Sequence, residues 1–208
     1  MAKLYITRHG QTEWNLEGRM QGQKDSKLTA LGEQQGAWLG ERLNNDEIDI
    51  IISSSSGRAV RTAEIIRGKR NIEIIPNDNL REIHLGQWEG QLHKDIEKYW
   101  LEEHRNFWKF PHLYKPLGGE TFLQVLDRVS NEVEKIISKY EGKNVLIVTH
   151  AVVLKALITY LENKNLEDFW SGAFMHSTCL NIVEIKKESR DFILQGDISH
   201  YKVEEKVI

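Results

Sequence analysis

Arg8-His9-Gly10 follows directly on a short apolar run, Leu4-Tyr5-Ile6-Thr7. A buried strand that ends in a cation, an imidazole and a glycine delivers chemistry to the edge of a sheet. A second run, Val145-Leu146-Ile147-Val148-Thr149, also ends in a histidine, His150. Two histidines at two strand ends suggest one shared site. Arginine's planar fork binds phosphate bidentately and its charge is not titrated away; Arg8 and Arg58 are the candidates. Arg58 falls in the first turn of an expected helix, where free backbone N–H groups and the dipole add to the pull on an anion. A neutral imidazole beside such cations could attack phosphorus as a nucleophile, and the cations themselves favour the neutral ring. The phosphorylated ring then needs donors around the phosphoryl oxygens, one of which His150 supplies. A leaving alkoxide needs a proton, and Glu82, in Leu80-Arg81-Glu82-Ile83, is the carboxylic acid chosen for it. This chemistry requires no metal and no cofactor.

The elements that must position these groups alternate between strand and helix signals. Thr29 is a plausible N-cap for a helix carrying Ala37, Leu39 and Leu43. Ile48 to Ile52 reads as a fully buried strand, followed by Ser53-Ser54-Ser55-Ser56-Gly57 and a helix from Arg58 to about Arg67. Ile72 to Ile75 reads as a short strand closed by Pro76. The segment from Leu92 to Tyr114 is aromatic and basic, and reads as helical with an interruption at Pro111. Apolar residues at 122, 125, 126, 129, 133, 136 and 137 give a helical period over Phe122 to Tyr140. The strand at 145–149 leads into a helix at 151–161. Two last strands, about 178–185 and 191–198, read as an antiparallel pair across the polar turn 186–190. Such alternation predicts an α/β three-layer sandwich, a mostly parallel sheet with helices on both faces. In open sheets of this kind ligands bind outside the carboxyl ends of the strands, where Arg8-His9, the Ser53 to Arg58 stretch and His150 all fall.

Composition narrows the partners. The chain of 208 residues is 40% hydrophobic and 28% charged with a net charge of −3, an ordinary globular balance. It predicts one domain over 1–208 with a small cap or specificity insertion at about 84–118. Nothing in the overall charge points to nucleic acid or to an anionic membrane, so an anion site must be built locally. No apolar run approaches the roughly 20 residues that span a bilayer, and no charged-then-apolar leader precedes the first strand. The single cysteine, Cys179, fits a reducing compartment and reads as a small buried apolar residue. A cytoplasmic protein, monomeric or homodimeric, is expected.

Taken in order, the motifs are specific. They are Thr7-Arg8-His9-Gly10-Gln11-Thr12-Glu13-Trp14-Asn15, Gln21-Gly22, Leu28-Thr29-Ala30-Leu31-Gly32, Ser53-Ser54-Ser55-Ser56-Gly57-Arg58-Ala59 with Thr62-Ala63, Leu80-Arg81-Glu82, Gly86-Gln87-Trp88-Glu89-Gly90, Gly118-Gly119-Glu120-Thr121 and Val148-Thr149-His150. In this arrangement the chain resembles the histidine phosphatase superfamily, also called the phosphoglycerate mutase-like family, over nearly its full length. The resemblance implies His9 as the phosphorylated nucleophile, with Arg8, Arg58 and His150 as the phosphate pocket. It also implies Asn15 as a further phosphoryl contact, Gln21 and Gly22 as the pocket edge, and Glu82 as general acid and then base. Two positions depart from the family pattern. Ala151 stands where glycine usually follows the second histidine, leaving its backbone N–H to reach a phosphoryl oxygen, and Lys27 stands where proline is common.

The reading that follows is a metal-independent phosphatase of small phosphomonoesters, of broad specificity. Mutase-type transfer of the phosphoryl group back to substrate is the alternative, and a non-catalytic phospho-ligand sensor is a third. The inserted segment, about 84–118, is aromatic-rich, with Lys109 and Lys115 as its last cations, which favours the phosphatase. Among neighbours, Asn15 reads either as a phosphoryl contact or as a turn cap. Arg61 reads as surface or pocket rim, and Arg81 as a solvated or ion-paired neighbour. Gly118-Gly119-Glu120 reads as a loop opening a helix. The six further histidines, at 84, 93, 104, 112, 176 and 200, read as structural or exposed. Trp88, Trp100, Phe107, Trp108 and Phe110 are core, or in part an apolar substrate wall.

Overall fold

The computed structural model describes residues 2–187 and 189–202. Six strands form one sheet: β1 (Ala2–Arg8), β2 (Ile50–Ser54), β3 (Glu73–Asn77), β4 (Val145–Thr149), β5 (Leu180–Ile185) and β6 (Arg190–Asp197). Their spatial order is β3-β2-β4-β1-β5-β6. The first four run parallel, with Tyr5 beside Leu146 and Ile51 beside Leu146 on its other side. β5 and β6 are antiparallel additions at the β1 edge. The sheet of the expected α/β sandwich is therefore present, with its C-terminal antiparallel pair. Of the turn between that pair, residue 188 lies outside the described residues, as do residue 1 and residues 203–208 of the expected single domain.

Alternation along the strands decides which helices lie on which face. Leu4, Ile6, Ile50, Ile52, Val145 and Ile147 share a core with α6 (Phe122–Lys139) and α7 (Ala151–Leu161). Tyr5, Ile51, Leu146 and Val148 face the other way, against α2 (Ala30–Arg42) and α3 (Gly57–Arg67). Thr29 caps α2, its hydroxyl accepting the Gly32 N–H at 2.9 Å, and Thr121 caps α6 in a reciprocal box with Gln124. Both caps satisfy N–H groups that a helix start leaves without partners. A short helix α1 (Glu13–Glu17), which carries too few residues to show a period, follows β1.

Several boundaries differ from the sequence reading, among them the last two strands, which run Leu180–Ile185 and Arg190–Asp197. The strand expected from Ile48 begins at Ile50, because the Ile48 N–H still closes a turn on the Asp46 carbonyl. β3 does not stop at Pro76 but includes it and runs to Asn77. β3 is an edge strand, where a residue without an N–H is tolerated. The aromatic segment is two helices, α4 (His93–Tyr99) and α5 (Leu101–Lys109), broken at Trp100, whose φ of −132° and ψ of 50° are not helical. Glu82 follows β3 only after a single 3-10 turn at Asp78–Leu80. Among the described residues no helix is long and apolar enough to cross a membrane.

Candidate active site

The strand order places β2, β4 and β1 side by side, so their carboxyl ends bring Arg58, His150 and His9 to one place. The His9 N–H donates to the Thr149 carbonyl at 2.8 Å, tying the two histidine-bearing ends together. The rings of His9 and His150 meet edge to face with centroids 5.2 Å apart. Gly10 and Gly32 make room for this turn: a side chain on Gly10 would lie 2.3 Å from the Gly32 carbonyl oxygen, and one on Gly32 would lie 2.0 Å from that of Gln11.

Hydrogen bonds assign the imidazole roles. Nδ1 of His9 lies 2.7 Å from the Gly10 carbonyl oxygen, an acceptor only, so Nδ1 carries the proton and Nε2 keeps its lone pair. Burial, then Arg58 and Arg8, hold His9 well below the ordinary imidazole range, which keeps the ring neutral and nucleophilic. His150 is likewise held down, by burial first and then by Arg58, His9 and Arg8. Its Nε2 lies 2.8 Å from Oγ of Ser54. Ser54 Oγ in turn accepts the Ser56 N–H at 3.3 Å and lies 3.4 Å from Ser56 Oγ; with its proton turned to the nearer His150 Nε2, the ring proton sits on Nδ1.

The two guanidiniums are anchored by protein acceptors that leave several of their five N–H donors over. Arg8 Nη1 donates to the Met175 carbonyl at 2.9 Å. Arg58 donates to the carbonyls of Lys24 (2.7 Å) and Gly22 (2.8 Å) and to the Asp25 carboxylate (2.9 Å). Nε of Arg8, Nε of Arg58 and Nδ1 of His150 are all buried without a partner. Buried donors in native proteins are nearly always paired; Arg8 and Arg58 border one cavity and His150 stands behind His9, an arrangement suited to an anion. Opposite them, the Glu82 carboxyl accepts from the N–H groups of Ile83 (2.9 Å) and Val152 (3.3 Å). Burial pushes Glu82 above the usual carboxylate range, outweighing those two bonds and the cations Arg58 and Arg8.

These residues open on a cavity of about 920 Å³. Arg8, His9, Asn15, Gln21, Gly22, Arg58, Glu82 and Ala151 line it, while His150 lies fully buried against His9. Asn15 closes the turn, its Oδ1 accepting the Thr12 N–H at 3.1 Å, and the residue also lines the cavity. Arg61 is surface, paired with Glu33 at 2.9 Å, and Arg81 donates to the Gln23 carbonyl at 3.0 Å without lining the cavity. Of the five aromatics, Phe107 and Trp108 line the cavity, whereas Trp88 is core. His93 and His176 also line it. Sequence reasoning missed Ser54, Asp25 and the loop 170–177, whose Trp170, Phe174 and Met175 form part of the wall. The one signal for that loop was the pair of exposed-type aromatics in a stretch without a period. Among the described residues no three His, Cys, Asp or Glu side chains group as metal ligands would.

Known proteins resemble this chain in sequence and fold. A model of the histidine phosphatase superfamily (branch 1) matches residues 4–198. Phosphoserine phosphatase 1 of Hydrogenobacter thermophilus is 33% identical over 199 residues, 96% of this chain and 93% of that protein. A probable phosphoglycerate mutase, GpmB, of Salmonella paratyphi A is 37% identical over 162 residues, 76% of this chain and 74% of the relative. Among solved structures, YhfR of Bacillus stearothermophilus superposes with a TM-score of 0.93 at 45% identity, covering 96% of this chain and 99% of that one.

Proposed function

The chain belongs to the histidine phosphatase superfamily, and on that premise we propose that it is a metal-independent phosphatase that hydrolyses a broad range of small phosphomonoesters through a phosphohistidine at His9. The observation that carries this reading is the trio of buried, unpartnered donors on Arg8, Arg58 and His150 around a neutral His9. In-line attack by His9 Nε2 on phosphorus forms the P–N bond and breaks the ester P–O bond. Glu82, which burial shifts toward its protonated form, gives its proton to the leaving oxygen. Water then attacks phosphorus, Glu82 takes its proton, the P–N bond breaks and orthophosphate leaves. Charge on the equatorial oxygens meets Arg8, Arg58, His150 and the start of α7, where the Ala151 N–H has no intrahelical acceptor. Asn15, Gln21 and Gly22 border the phosphoryl group.

The alcohol would lie against Leu16, Phe107, Trp108, Trp170 and Phe174. Apolar and aromatic faces tolerate many shapes, which supports breadth, and the α4–α5 segment acts as the cap of the sequence reading. Lys155, another cavity-lining cation, already donates to the Ser171 carbonyl at 2.6 Å. The likeness to a probable phosphoglycerate mutase keeps phosphoryl return to substrate as the second reading. The partner is a small phosphomonoester rather than nucleic acid or membrane, the compartment is the cytoplasm, and the protein works as a monomer or homodimer.

Phosphate release from a panel of monoesters in EDTA, with isomerisation of 3-phosphoglycerate followed in parallel, tests this. Hydrolysis of several esters that His9→Ala abolishes is expected. Arg58→Ala should cost roughly a hundredfold or more in kcat/KM, as loss of one preorganised charge donor does. Isomerisation outrunning hydrolysis would establish the mutase instead, and full activity of Arg58→Ala would remove that residue from the phosphate pocket.

A further inference from the structure

Three successive backbone N–H groups follow Glu82, and each donates to a different carboxylate. Ile83 donates to Glu82 itself at 2.9 Å, His84 to Oε2 of Glu120 at 2.8 Å, and Leu85 to Oε1 of Glu89 at 3.2 Å. Glu120 also donates its own N–H to the His84 carbonyl at 2.8 Å, so one residue holds both polar groups of His84. Behind Glu120 stands Arg128 of α6. Its Nε and Nη2 grip the two Glu120 oxygens, each at 2.9 Å. Its Nη1 donates to the carbonyls of Asn79 (2.8 Å) and Arg81 (2.9 Å). One guanidinium therefore fixes the chain just before Glu82 directly, and just after it through Glu120. The close approach depends on Gly119, where a side chain would lie 2.1 Å from the His84 carbonyl oxygen. Neither Glu120 nor Arg128 lines the cavity.

We propose that Glu120 and Arg128 are positioning residues for Glu82: their bidentate pair fixes the 79–85 loop so that the Glu82 carboxyl faces the leaving oxygen. This rests on the reading of Glu82 as the general acid. A fork with two further carbonyl acceptors has the geometry in which an ion pair orients its surroundings, where an isolated surface pair contributes little. The groups that face Glu82 directly are Arg8 of β1, Arg58 of α3 and the amides of Ile83 and Val152. All of them remain when the clamp is altered, so the clamp's effect is on placement.

Placement of an acid is read by leaving-group dependence. An alkyl phosphate needs its leaving oxygen protonated, whereas p-nitrophenolate leaves without help. kcat/KM, which reports the steps through formation of the phosphoenzyme, is measured for both esters in the wild type, Glu120→Gln, Arg128→Lys and, as reference, Glu82→Gln, with the thermal midpoint of each. The expected result is a loss of about ten- to a hundredfold for the alkyl ester and less than about threefold for the nitrophenyl ester in both clamp variants, with a larger split in Glu82→Gln. Arg128→Lys keeps the charge and loses the fork, so it reads placement even if Glu120→Gln folds poorly. Equal losses on both esters, or no loss, in folded clamp variants while Glu82→Gln splits would overturn the clamp alone. A Glu82→Gln enzyme with no split would overturn the reading of Glu82 as acid, and the clamp with it.

Discussion

At the scale of single residues the chemistry turns on protons held away from their ordinary positions. His9 and His150 are neutral when folded because burial and the two guanidiniums oppose a third charge. The acid limb of kcat/KM should therefore lie below the ordinary imidazole range, and a limb near pH 6.5 that is not the substrate's own ionisation would contradict the assignment. The same shifts set a stability trend. An unfolded chain binds protons on both rings as pH falls below about 6.5, while the folded chain does not, so stability falls there by about 1.4 kcal/mol per pH unit for each fully titrating ring. Glu82 works in the opposite sense, since its raised value makes its contribution disappear as pH rises through the folded pKa. Urea midpoints at pH 7, 6 and 5 should decline, and a His9→Asn, His150→Asn protein should decline less. His9, Arg8 and His150 were legible because each ends an apolar run. Ser54 was not, because Ser53, Ser54 and Ser56 are all buried and four serines in a row give no sign of which one faces the ring.

At the scale of elements, the strands and long helices followed from period and capping, and the errors fell where a residue's cost depends on its neighbours. Pro76 ends a strand in the middle of a sheet but not at its edge. Trp100 broke a helix that propensity alone would continue. The loop 170–177 left no periodic trace, yet it supplies both a wall and the carbonyl that holds Arg8. The contact between the β1 turn and α2 was visible only as two glycines. Gly32→Ala should destabilise the protein by about 1–3 kcal/mol, because the atom met is a backbone oxygen that has nowhere to go. Chemical denaturation checks this; an unchanged midpoint would show that the turn can shift.

At the scale of the whole molecule, one sheet gathers groups from β1, β2 and β4 that lie far apart in the chain. The α/β class was readable from alternation, but strand order was not, apart from the hint that two histidines needing one site belong to neighbouring strands. A pocket prepared for an anion should couple ligand to fold. Orthophosphate at a hundred times its dissociation constant should add about 2.7 kcal/mol of stability, seen as a rise in melting temperature. Arg58→Ala should lose most of that rise while remaining folded, and an equal rise in both proteins would place phosphate elsewhere.

The Arg8, Arg58 and His150 donors are anchored at strand and helix ends of the core, while Leu16 and Trp108 reach the cavity from α1 and α5, which carry none of the hydrogen bonds of the phosphate grip. Such a division lets heredity vary one half without paying in the other. Substitutions along the wall can drift, exchange one ester for another and pass through promiscuous intermediates, all on an unaltered catalytic floor.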